Sequence, residues 1–100
     1  MLIDNILHEA STVLQTALRY SSQLSEIQTI DHDIHRMRVL ITIVAAHSYS
    51  KLGDNANLDA EVNELQNVKE TILRTAERRF GRTNKVLEEF HYAQKQAQNF

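Results

Sequence analysis

Apolar side chains recur at steps of three and four along nearly the whole chain. Ile3, Ile6, Leu7, Ala10, Val13, Leu14, Ala17, Tyr20, Leu24 and Ile27 share one face of a helix, so the pattern predicts a single amphipathic helix over about residues 2–27. The opposite face holds Asn5, His8, Ser11, Thr12, Gln15 and Arg19. A break is expected around residues 28–31, with Thr29 as N-cap and Asp31 and Asp33 placed where a helix dipole favours negative charge. A second helix then runs over about 32–52, through Ile34, Met37, Leu40, Ile41, Val44 and Ser48 to Leu52. Gly53 supplies its left-handed terminator, and residues 53–57 form a polar turn.

A third periodic segment begins near residue 57 and keeps its period through Leu58, Val62, Leu65, Ile72, Ala76, Phe80, Leu87, Phe90 and Ala97. Unbroken to residue 98, it would be roughly 63 Å long at 1.5 Å per residue, which is long for so small a domain. Gly81 is the only breaker within it, and a glycine costs a helix only about 1 kcal/mol relative to alanine. Continuity or a kink is therefore the expectation. The alternative is a break over residues 81–84, with Thr83 or Asn84 capping a fourth helix.

Composition agrees with this pattern. One hundred residues with no proline, no cysteine and two glycines point to one all-α domain spanning 1–100. The expected fold is a bundle of three long antiparallel helices, or four if the third breaks. Without cysteine there is no disulfide framework, thiolate metal site or cysteine nucleophile.

The middle helix suggests a partner. Projected at 100° per residue, Met37, Val39, Leu40, Ile41, Ile43, Val44, Ala45 and Ala46 cover most of its circumference. Two helices of the same chain would not be expected to cover so wide a surface. A homo-oligomer formed through Met37, Leu40, Ile41, Ile43 and Val44 is therefore predicted.

The net charge of −2 conceals a segregation. Residues 1–68 sum to −5, residues 69–85 to +4, and the remainder to −1. In a continuous helix, Arg74, Arg78, Arg82 and Lys85 would form one stripe flanked by Arg79, able to clamp carboxylates or phosphates. An acidic patch on a protein partner and a nucleic-acid backbone both fit such a stripe. Coating nucleic acid with the whole surface does not fit a slightly acidic chain. A local reading pairs these arginines with Glu70 and Glu77 on a solvated face.

Metal and catalytic motifs are thin. Asp31, His32, Asp33 and His35 offer i,i+3 and i,i+4 ligand pairs, but no obvious fourth ligand completes a set. Glu88 and His91 make one Glu-x-x-His, where carboxylate-bridged di-iron bundles use two together with facing glutamates. No nucleophile elbow or phosphate-cradling glycine loop is present in the sequence. No cofactor is predicted, and no enzymatic role. The longest nearly apolar run, Met37 to Ala46, is too short for a membrane span, and Met1–Asn5 does not begin like a signal peptide. The expectation is a small cytoplasmic interaction protein, in a cell or an infected host cell. It would act by binding another macromolecule as adaptor, regulator or inhibitor. Nucleic-acid binding through the basic stripe is the alternative, and a helical metalloprotein the second alternative.

Overall fold

The computed structural model describes residues 2–25, 27, 29–49, 57–81 and 85–98, and it is all-helical over these. Five helices follow in order: α1 (Leu2–Arg19), α2 (Ser21–Leu24), α3 (Ile30–Ser48), α4 (Leu58–Phe80) and α5 (Lys85–Gln98). The polar turn expected after Gly53 lies outside the described residues, except for Asn57.

Four cross-links fix the helix directions. The Tyr49 hydroxyl donates to Asp4 (2.5 Å), which puts the end of α3 beside the start of α1. His47 Nδ1 lies 2.7 Å from Glu61 Oε1, so the end of α3 also meets the start of α4. Lys69 meets Glu9, and Tyr20 sets its ring edge-on to Phe80 with centroids 6.4 Å apart, so α1 and α4 advance in step. Those two helices run parallel and α3 opposes both, the up-down-up order in which each of the three long helices is antiparallel to the next in the chain.

The predicted first helix is interrupted. Tyr20 departs from helical geometry (φ −107°, ψ 20°), and α2 resumes at Ser21. The ladder bends without stopping, because Gln23 and Leu24 both donate to the Tyr20 carbonyl at 3.1 Å. This bend accompanies the reach of the Tyr20 hydroxyl to Glu89 on α5. Thr29 occupies the N-cap position of α3, but its hydroxyl makes no capping bond.

The largest correction concerns the third segment. It does not continue through Gly81: α4 ends at Phe80, and Gly81 takes φ 75° and ψ 164°. A fully extended chain would leave Leu87 and Phe90 in water. The break instead lets α5 pack on α1, where Leu87 is 3% exposed and Phe90 fully buried. Burying such side chains is worth roughly 1.5–3 kcal/mol each, more than the few backbone bonds a continuous helix would add.

The core runs through every helix. Ala10, Val13 and Ala17 come from α1, Leu24 from α2, and Ile30, Met37 and Val44 from α3; Leu65, Val68, Ile72 and Ala76 come from α4. Principal extents of 45 × 30 × 17 Å leave room for only two layers of helices along the short axis. Flanks therefore remain with no neighbour from the same chain.

Candidate functional site

The open flank of α3 is built by its own period. Because α3 packs on α4 and on α1, the residues that complete its circumference face outward. His32, His35, Val39, Thr42, Ala46 and Tyr49 are all exposed, at spacings of 3, 4, 3, 4 and 3. Val39 is 41% exposed, an unusual position for a β-branched apolar residue in the middle of a helix. With His35, Arg38, Thr42 and Ile43 it lines a shallow groove of about 390 Å³. Thr42 spends its hydroxyl proton on the Arg38 carbonyl (3.0 Å), and the small side chains of Thr42 and Ala46 lower this side of the helix.

The self-association residues expected from sequence divide between the two sides of α3. Met37 and Val44 are fully buried and Leu40 is 6% exposed, all within the core of their own chain. α1 and α4 cover more of the helix than its projection suggested. Ile41 and Ile43 are half-buried, and only Ile43 borders the open groove. Val39, absent from the expected set, is the most exposed apolar side chain there.

The basic stripe does not assemble as a helical row, because α4 stops at Phe80. Arg74 and Arg78 stand exposed on α4. Arg79 Nε donates to the Gln23 carbonyl (3.0 Å), and its guanidinium lies 5.5 Å from the Phe80 ring centre, a structural clasp on the end of α2. Arg82 lies outside the described residues. Lys85 opens α5 and, with Arg19, Thr16, Glu88, Glu89 and Tyr92, lines a separate groove of about 700 Å³ between α1 and α5.

Lys69, counted from sequence in the basic segment, is 5% exposed and bonds Glu9 Oε1 at 2.5 Å. The signal was available: Lys69 falls between Leu65 and Ile72 on the apolar arc of α4. Its partner was not legible, since Glu9 is 60 positions away and meets it only through helix packing.

The acidic and histidine candidates do not converge. Asp31, His32 and His35 are exposed, whereas Asp33 turns inward to 6% exposure, with Oδ2 unpartnered among the described residues. Glu88 and His91 are exposed on α5. Among the described residues, no group of three or more His, Asp or Glu could hold a metal ion, and no helix is long and apolar enough to cross a membrane.

Two tyrosines carry perturbed hydroxyls. The hydrogen bond to Glu89 raises the Tyr20 pKa above its ordinary value, helped by desolvation and the Glu89 charge and opposed by Arg19. The bond to Asp4 raises that of Tyr49 in the same way. A phenol whose folded pKa is raised contributes stability below its unfolded pKa of about 10, and this is lost as pH climbs through the folded value. The urea midpoint is therefore expected to fall between pH 9 and pH 11, and to fall less in Tyr20→Phe. An equal fall in both proteins would remove Tyr20 from that role.

Compared with known proteins, the chain matches no family model, no curated protein and no solved structure.

Proposed function

We propose that this is a non-enzymatic binding protein that works as a self-associated unit, with the open face of α3 as its contact surface. The observation that carries this reading is the exposed Val39, bordered by Ile43 and the low side chain of Thr42, with the exposed Ala46 one turn beyond Thr42. Two copies of α3 crossing antiparallel about a two-fold axis would set Val39 of one against Thr42 of the other. The same symmetry sets His35 against Ala46, His32 against Tyr49, and Arg38 against Ile43. No like charges oppose one another in that pairing, and the arginine stem lies over the isoleucine. A self-complementary face of this kind favours a second copy over an unrelated partner.

The test is the solution mass of two variants by light scattering. Val39→Glu and Ile43→Glu each place a carboxylate in the seam twice over, so each should weaken association by about tenfold or more while leaving helicity intact. Asn63→Glu, on an exposed position of α4, should change nothing. Association unaffected by both α3 variants would reject this face.

A further inference from the structure

The turn at Gly81 carries a second consequence for how copies meet. Its backbone (φ 75°, ψ 164°) lies in a region that only glycine occupies without strain, and a Cβ built there would meet nothing within 4 Å. The glycine therefore serves the direction of the chain and nothing else. On either side of it the sequence keeps one helical period, from Ile72, Ala76 and Phe80 on to Leu87 and Phe90. That period is compatible with running α4 into α5, while docking of Leu87 and Phe90 favours turning back. α5 makes its main contact with α1 and a much smaller one with α4. Among the described residues, α5 is therefore held mainly by α1.

From this we infer that α5 is exchangeable between copies: the chain has a second dimeric form in which α4 and α5 run on as one helix and α5 docks on α1 of another copy. Every α1–α5 contact of the single chain is remade between chains in that form, including Tyr20 with Glu89. The occupant of the α1 docking face is then a second copy's α5, with Leu87 and Phe90 as its anchors. Such exchange uses the end of the molecule formed by α1 and α5. It is independent of the α3 face, and failure of either leaves the other standing.

Gly81→Ala is the decisive variant. Alanine is strained in the closed turn and favoured in the continuous helix, so it should raise the exchanged fraction by about tenfold or more. The chain has no cysteine, so Gln15→Cys and Tyr92→Cys, on the two walls of the α1–α5 groove, report which chain supplies α5. Both are introduced in the Val39→Glu background to remove α3 pairing, and a bis-maleimide is added after refolding at high concentration. The expected result is mainly cross-links within a chain when Gly81 is kept and mainly links between chains with Gly81→Ala. Three glycines inserted after position 81 of the Gly81→Ala chain should return the links to within one chain. Exclusively intrachain links in Gly81→Ala would overturn the inference. So would a Gly81→Ala chain unfolded by circular dichroism, because the exchanged form should rescue its folding.

Discussion

Phe90→Ala is expected to cost about 3–5 kcal/mol, as large-to-small changes at fully buried aromatic sites do. Phe90 is among the largest side chains buried completely in this protein, and it is supplied by the shortest of the four main helices. Leu87 is the other deeply buried residue described in α5, so removing the ring takes away much of what fastens that helix to α1. Domains of this size are stable by only about 5–15 kcal/mol, and the loss is therefore a large fraction of the total. It should appear as a lower urea midpoint, with α5 amides exchanging before those of α3 and α4. Tyr92→Ala, two residues on and 66% exposed, should stay within about 0.5 kcal/mol of wild type. Equal effects at both positions would mean that α5 is not docked through Phe90.

Lys69→Met is the second large expectation, at about 3 kcal/mol of destabilisation. The side chains of Lys69 and Glu9 are only 6% and 15% exposed, so removing the ammonium leaves a carboxylate in a largely dry place. The neighbouring Glu70 lies 3.9 Å from the same nitrogen but is half-exposed, and it contributes much less. Replacing both partners, in Lys69→Met with Glu9→Met, should recover most of the lost stability, since desolvating an ion pair offsets much of its attraction. A double-mutant cycle by urea unfolding measures this directly. Additive losses would show that the two groups are not coupled. The pair also helps set α1 in step with α4, together with Tyr20 on Phe80 one helix length further along.

How much of this was legible depended on whether a feature is local. The buried positions of α1 follow from spacing alone: Ala10, Val13 and Ala17 lie on the predicted apolar face and form its innermost line. The period of α4 likewise placed Leu65, Ile72 and Ala76 in the core. Gly81 was ambiguous because its local cost in a helix, about 1 kcal/mol, is smaller than the burial gained by Leu87 and Phe90 only after the chain reverses. That gain depends on a surface of α1 some 70 positions away. The middle helix looked too apolar for one chain because its projection gives no account of how far two neighbours wrap around it. Met37, Leu40 and Val44 proved to be core, and the remaining exposed apolar surface centres on Val39. The basic stripe presupposed a helix through residue 81; α4 ends before it, Arg74 and Arg78 stand exposed on α4, and Arg82 lies outside the described residues. Lys69 could have been recognised as buried from its place on the apolar arc, but Glu9 as its partner required the packing of α1 on α4.

The central proposal is that copies associate through the open side of α3. Sedimentation equilibrium of the wild-type chain at tens of micromolar, near neutral pH, addresses it most directly. The expected mass is twice 11.5 kDa, reverting to 11.5 kDa in Val39→Glu with helical content unchanged. A wild-type chain that stays at 11.5 kDa throughout that concentration range would contradict it.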